Sequence, residues 1–463
     1  MNVILISTYD LGHQPFGLAS PAAWLRAEGH VVTSLDLSVA MLDEAAVSAA
    51  DMVAFYLPMH TATRLAAPVI EHVNQLNPEA LLCAYGLYAP VNHAHLRRLG
   101  IDHIVGGEFE GRLVEIAGNA TGVGFVGHDR PTVVLEKQRF RVPDRIGLPG
   151  LADYGDLTLP NGVKRVVGYT EASRGCKHLC RHCPVVPVYG GRFFVVQRDA
   201  VLADIARQVE AGAQHITFGD PDFLNGPGHA RAVVEALHSQ HPTLTYDITV
   251  KVEHLLKHAD MLGTLRDTGC LFVISAFESF DDPALALLEK GHTRADALTA
   301  IDKCRAEGLV LVPTFVAFTP WLTLETYEDL LTTIAGLGLV EAVAPVQLAI
   351  RLLIPHGSRL LELAAVQDMV APFDEEKLFY PWRHPDPRVD ALQRDVEAIV
   401  GTASEAGTSR AAVFIQIWER LQAGFDRPAR SLPDIVPGIH PVPQFSEPWY
   451  CCAEPTPRQG YAF

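Results

Sequence analysis

Positive charge is scarce in this chain: 37 Lys and Arg stand against 54 Asp and Glu, a formal net charge of −17. That balance argues against a nucleic-acid backbone as the main partner, because phosphate contacts need clustered Lys and Arg. Long apolar runs are missing too. The most apolar stretch, residues 338–354, is broken by Glu341, Gln347 and Arg351, which makes it too polar to span a bilayer. The N-terminus lacks a basic segment followed by an apolar core and a small-residue cleavage site, so a signal peptide is not expected. Low-complexity tracts and internal repeats are absent. Cysteine is sparse, with eight in 463 residues. Three of them share one loop, which argues against a disulfide framework and for a reducing compartment. The expected location is the cytoplasm, with no membrane partner. What remains is 48% hydrophobic and 20% charged, a globular composition long enough for two or three domains.

The shared loop is Arg174-Gly175-Cys176-Lys177-His178-Leu179-Cys180-Arg181-His182-Cys183, spaced C-x3-C-x2-C. Three thiolates on one short loop suit a soft metal centre. Structural zinc sites are usually closed by a fourth Cys or His, often as two C-x2-C pairs, and no second pair follows. One reading is a four-iron cluster held by Cys176, Cys180 and Cys183 with one iron left open. The other is zinc on the three thiolates plus His178 or His182, a metal-binding scaffold without catalysis. The remaining Cys83, Cys270 and Cys304 sit in apolar patterns and read as buried structural thiols.

The first 120 residues alternate apolar runs with amphipathic segments. Strands are expected at 2–7, 31–37, 52–57, 80–85 and 103–105. Strands separated by helices imply a parallel doubly wound sheet, with ligands at the carboxyl ends of its strands. The loops 8–17, 58–61, 86–91 and 106–111 are therefore candidate binding segments. Residues 126–165 are Pro-punctuated and read as a linker. A second α/β series follows, with strands expected at 165–171, 215–218, 245–250, 271–276, 309–318 and 344–353. Beyond 363 the pattern is mainly helical, then Pro-rich. The expected organisation is an N-terminal doubly wound unit over 1–125, the linker, a unit over 166–362 and a C-terminal helical cap over 363–463.

The C-x3-C-x2-C loop after a strand resembles the radical S-adenosylmethionine (SAM) superfamily. The resemblance implies a partial (β/α)6 barrel, a [4Fe-4S] cluster on Cys176, Cys180 and Cys183, reductive cleavage of SAM to a 5′-deoxyadenosyl radical, and an external electron donor such as flavodoxin or ferredoxin. Gly219-Asp220-Pro221-Asp222 stands where the family contacts the SAM amino group, with either carboxylate as the contact. Lys251 is similarly placed to face the SAM carboxylate. Glu278-Ser279 is similar to the strand end that approaches the ribose, and Lys290-Gly-His-Thr293 to a turn of cobalamin-type members.

An N-terminal doubly wound domain ahead of such a barrel resembles the cobalamin-binding subfamily. There Gly86 and Gly106 match loops that approach the corrinoid. Asp10, His13 and Gly17 match its D-x-H-x-x-G segment with one extra residue on each side of His13. That spacing implies cobalamin bound without cobalt ligation by His13. The ending Tyr450-Cys451-Cys452-Ala-Glu-Pro455 resembles the CUAEP/CCAEP-tail radical SAM proteins, where selenocysteine occurs at the position of Cys452. A position used by either element is expected to be reactive, since a free thiol ionises only near pH ~8.5. The expected function is cobalamin-dependent transfer of a methyl or other carbon group to a small-molecule or peptide substrate. The alternative is cobalamin-free rearrangement, or sulfur or metalloid insertion, through Cys451 and Cys452.

Overall fold

Short β-branched and aliphatic runs build two sheets in the computed structural model, which describes residues 1–119, 132–438 and 442–446. The first sheet contains β1 (Asn2–Ser7), β2 (Val31–Asp36), β3 (Met52–Tyr56), β4 (Leu81–Tyr85), β5 (His103–Gly107) and β6 (Thr132–Val134), in the order β2-β1-β3-β4-β5-β6. Every pairing in it is parallel. Strands β1 and β3 are buried along nearly their whole length, as expected of strands covered by helices on both faces. One face packs Ile4, Ile6, Val53 and Phe55 against helix His60–Leu76. The other packs Val3, Leu5, Met52 and Ala54 against helices Phe16–Ala27 and Glu110–Asn119. The strand order reverses between β1 and β3, so the loops after those strands open on the crevice where such sheets bind ligands.

The second sheet is built from β7 (Asp156–Thr158), β8 (Lys164–Thr170), β11 (His215–Phe218), β12 (Thr245–Thr249), β13 (Cys270–Glu278), β14 (Val310–Phe315) and β15 (Gln444–Phe445). Its order is β14-β13-β12-β11-β8-β7-β15, parallel from β8 through β14 and antiparallel at β7 and β15. Between β8 and β11 lies a small antiparallel pair, β9 (Ser173–Gly175) and β10 (Phe193–Val195), which brackets the cysteine loop. The whole is a mixed α/β chain, with a six-stranded parallel sheet followed by a curled half-barrel.

Two expectations about this half differ from what forms. The strand expected at 344–353 is a 3₁₀ turn, Pro345–Leu348, followed by a single parallel bridge between Phe318 and Arg351. Pro345 has no N–H for a ladder. The Gln347 side chain, not a backbone carbonyl, accepts the Phe315 N–H at 3.1 Å. The stretch read as a linker supplies β6 to the first sheet and β7 to the second. Both are three residues long, too short to show a period. In the C-terminal part, helices Pro387–Ala406 and Arg410–Gln422 pack on each other. Phe445 of β15 enters the barrel against Phe272, with ring centroids 5.7 Å apart. Cys451 and Cys452 lie outside the described residues.

Candidate active site

Strand β8 ends at Thr170, and the chain turns through Glu171 and β9 into the cysteine loop. Gly175 makes the turn at φ +74°, and a Cβ there would overlap the Arg192 carbonyl; only glycine fits such a position. The loop is then pinned from several elements. Lys177 N donates to Asn225 Oδ1 at 3.2 Å, Arg181 N to the Leu288 carbonyl at 3.0 Å, and Arg181 Nη1 to the Leu287 carbonyl at 2.8 Å. Cys176, Cys180 and Cys183 line the wall of one cavity of about 360 Å³. No disulfide joins any of the described cysteines.

Burial pushes the Cys176 thiol up to about 11, so this sulfur ionises at neutral pH only beside a bound cation. Lys251 Nζ donates to Cys180 Sγ at 3.6 Å, and Lys290 is electrostatically coupled to Cys180 and Cys183. Three thiols on a cavity wall, with lysines facing them, fit an anionic thiolate-ligated cluster. A second donor set joins this loop to the turn after β11: ligand atoms of Cys176, His178 and Asp222 fall within 4.8 Å of one another.

The candidate SAM-facing residues separate clearly. Asp220 lines the cavity and is 2% exposed. Its carboxylate accepts Ala172 N at 2.9 Å and the Ser173 hydroxyl at 2.5 Å, tying the end of β11 to the start of the cysteine loop. Asp222 is not part of the cavity wall. It lies 2.6 Å from His254 Nδ1 and 3.4 Å from His178 Nε2. Burial raises its pKa, but the bonds from the two histidines outweigh it, and the carboxyl ends below its usual range.

Glu278 sits at φ +63° beyond a register shift in the β13–β14 ladder, a local irregularity of the kind that re-aims a side chain. There Glu278 Oε1 is 3.0 Å from His182 Nε2 and accepts Lys290 Nζ at 3.1 Å. Burial opposes its charge, yet Lys290 and His182 hold its carboxyl well below the usual range. Ser279 is not part of the cavity wall; its hydroxyl accepts Asp281 N at 3.0 Å.

The loops of the first sheet close the cavity from the other side. Asp10, His13, Pro58, Met59, Gly86 and Gly107 all line it. Gly17 and Gly106 do not; a Cβ at either would overlap the Tyr56 ring or Pro90, so they serve close packing. His13 lies against Tyr169 of β8, ring centroids 4.9 Å apart, and burial lowers its pKa to about 4. A Cβ at Gly219 would overlap the Tyr169 hydroxyl, so that glycine makes room for the ring.

Sequence reasoning missed the group that joins the two halves. Arg174 Nη2 lies 2.7 Å from Glu110 Oε1, its Nε 2.5 Å from Glu171 Oε2, and its Nη1 3.7 Å from Glu108 Oε2. The guanidinium also faces the rings of Phe140, Phe109 and Phe16 at 4.9, 5.0 and 5.6 Å. The signal available was Arg174 three residues after Glu171; nothing in the spacing pairs it with Glu108 and Glu110, far upstream in the chain.

Residues 170–335 match the model of the Radical SAM superfamily. The half-barrel is a radical SAM domain. Such domains use a [4Fe-4S] cluster and SAM, which makes this part of the chain an enzyme domain. Its overall fold is similar to OxsB, a cobalamin-dependent S-adenosylmethionine radical enzyme solved with aqua-cobalamin, at 12% identity and TM-score 0.68 over 90% of this chain and 72% of that one. It is also similar to TsrM from Kitasatospora setae, a radical S-adenosylmethionine methyltransferase solved with tryptophan substrate and a SAM analogue. There the identity is 18% and the TM-score 0.65, over 86% of this chain and 88% of that one. At these identities the likeness is one of fold. A search of curated proteins finds no match. No helix among the described residues is long and apolar enough to cross a membrane.

Asp220 carries a testable pH dependence. Burial pushes its carboxyl up to about 7, against the bonds from Ser173 and Ala172 that pull it down. A carboxyl raised above its unfolded value binds its proton more tightly when folded. Its stabilising contribution is therefore complete below pH ~4 and lost as the pH rises through ~7. The stability difference between the parent and Asp220→Asn is expected to shrink over that window, read from urea midpoints. Parallel profiles would mean that Asp220 ionises near its ordinary value.

Proposed function

We propose that this radical SAM enzyme binds a corrinoid against the loops of its first sheet and transfers a methyl or other carbon group to an unactivated carbon or a soft acceptor. The observation that carries the reading is the shared cavity. The loops after β1, β3, β4 and β5 and the cysteine loop after β8 line one space, so groups held by the two halves face each other. The fold likeness to cobalamin-dependent enzymes supports it.

In this reading Cys176, Cys180 and Cys183 hold the cluster, and Asp220, Lys251 and Glu278 orient SAM. When bound, the cluster supplies the electron that cleaves SAM, and the corrinoid supplies a carrier for the carbon group. The chain's own part is to place charges. Lys251 sets an ammonium beside the Cys180 sulfur, and Glu278 is kept ionised by Lys290 and His182, ready to accept hydrogen bonds from hydroxyls. Gly86 and Gly107 line the first-sheet side of the cavity at φ +110° and +73°, backbone that favours glycine. A small-molecule or peptide substrate and an external electron donor complete the reaction.

The test is corrinoid uptake. Protein reconstituted anaerobically with hydroxocobalamin is expected to retain it through gel filtration. His13→Ala is expected to retain it with an unchanged visible spectrum. No uptake by the parent protein would remove the cobalamin claim, and a shifted spectrum in His13→Ala would make His13 a cobalt ligand.

A second reading, chemistry through Cys451 and Cys452, is favoured by the position of Phe445. This residue lines the cavity and precedes Cys451 by six residues, about 20 Å of fully extended chain. Alkylation is then expected to label Cys452 ahead of Cys83, Cys270 and Cys304. Burial raises the pKa of each of those three thiols, that of Cys304 to about 12. Labelling of Cys452 no faster than theirs would reduce the pair to an inert terminus.

A further inference from the structure

The barrel interior beneath the cysteine loop mixes polar and apolar groups. Thr217 of β11 and Asp247 and Thr249 of β12 line the cavity, and so do Ile274 and Ala276 of β13 and Phe445 of β15. Asp247 is 1% exposed. Its Oδ1 accepts the Thr217 hydroxyl at 2.7 Å and lies 2.9 Å from Nε2 of His215. His215 is fully buried, and its Nδ1 is 2.8 Å from Thr245 Oγ1. Thr217 and His215 therefore satisfy Oδ1, while Asp247 Oδ2 has no hydrogen-bond partner among the described residues. A buried carboxylate oxygen without a donor is costly unless a ligand supplies one.

The other carboxylates on this cavity are matched. Glu278 has Lys290 and His182, Glu171 has Arg174, and Asp220 has Ser173 and Ala172 N. Asp10 also has an unpartnered Oδ2. Burial, with Asp36 and Glu171 nearby, pushes its carboxyl well above the usual range, which works against the charge an amine would need. His13 is close enough to Asp247 to feel its charge, but burial holds its pKa at about 4. It supplies no positive charge at neutral pH.

The geometry points to Asp247 as the substrate-recognition carboxylate, its free oxygen taking an N–H from a protonated amine while Phe445 and Ile274 hold the apolar remainder. The substrate class is a small amphipathic amine, or a peptide presenting one. This rests on the radical SAM reading in that the substrate shares that cavity. His215 and Thr217 are positioning residues that fix the carboxylate.

The test is calorimetric titration of the reconstituted holoenzyme with 2-phenylethylamine and with 3-phenylpropionate, a pair that differs in charge and matches in apolar bulk. The amine is expected to bind at least about tenfold more tightly, and Asp247→Asn to weaken it by about tenfold or more. Equal affinity for the two probes, binding of neither, or an unchanged amine affinity in Asp247→Asn would each overturn the assignment. The comparison of probes on the parent protein does not depend on the variant folding, and circular dichroism and iron content check the variant. Corrinoid content of the same samples reports on the methyl-transfer reading separately. A preparation that takes up no corrinoid yet selects the amine retires that chemistry and leaves Asp247 in its role.

Discussion

Replacing Cys176, Cys180 or Cys183 with alanine is expected to drop the iron content of anaerobically reconstituted protein to background and to abolish SAM cleavage. The three sulfurs come from one loop and line one wall of the cavity, and no described cysteine elsewhere can substitute. Cys83, Cys270 and Cys304 are buried in the packed interiors of the two sheets. A cluster with one iron open for SAM has no spare protein ligand, so losing one thiolate removes a third of the anchoring. The folded chain should persist, because the loop is also held by Arg181, Lys177 and Ser358. Iron analysis together with low-temperature electron-paramagnetic spectra reads the outcome. One zinc and no iron in the parent protein, lost together in Cys176→Ala and His178→Ala, would move the metal to Cys176, His178 and Asp222 and contradict the cluster. A full iron complement in any single cysteine variant would do the same.

Arg174→Met is expected to cost about 3–5 kcal/mol, the range for breaking a buried ion pair by removing one partner. Methionine fills much of the space but leaves Glu108, Glu110 and Glu171 buried without their cation. Arg174 overcomes burial and lowers the pKa of Glu110. Glu108, farther from the guanidinium, is left at about 7 by burial. The loss should appear as a lower urea midpoint. It should be accompanied by weaker iron retention, because Arg174 stands two residues before Cys176 and ties that loop to the first sheet. Arg174→Lys keeps the charge without the fork that reaches Glu110 through two nitrogens, and is expected to recover only part of the stability. The exposed Arg388, paired with Asp386 and Asp426, is the control, and its replacement is expected to be nearly silent. An Arg174→Met midpoint equal to that of the Arg388 control would show that the buried network contributes nothing.

Much of the architecture was legible because it is written in short-range patterns. Residues 2–7, 52–57 and 80–85 are apolar runs of strand length, and all three form where their composition places them. The alternation of strands and helices implied two parallel sheets, and β2-β1-β3-β4-β5-β6 and the half-barrel are those sheets. The strand expected at 344–353 failed because a run of apolar residues does not say which backbone will accept its N–H groups. There Pro345 has no N–H for a ladder, and the Gln347 side chain accepts the Phe315 N–H that a neighbouring strand would have taken. Strands β6 and β7 were missed for the opposite reason. They exist because longer neighbours offer a paired edge, not because three residues carry a period.

The candidate site divides along the same line. Sequence alone singled out the cysteine loop as the candidate metal site, since C-x3-C-x2-C is a local spacing and its chemistry belongs to sulfur. It also determined that Asp220, Lys251 and Glu278 end successive barrel strands, because strand ends in a parallel sheet gather on one side. Tertiary structure alone decided that Asp222 turns to His254 and His178 while Asp220 faces the cavity. It decided that Glu278 meets Lys290 and His182, that Arg174 adds the distant Glu108 and Glu110 to its neighbour Glu171, and that Asp247 is left with one unpartnered oxygen. Each of these is a charge matched, or left unmatched, across long stretches of chain in a dry interior. Position in sequence carries no record of which side chains will be excluded from water together, and in such an interior that exclusion determines which charges must find partners.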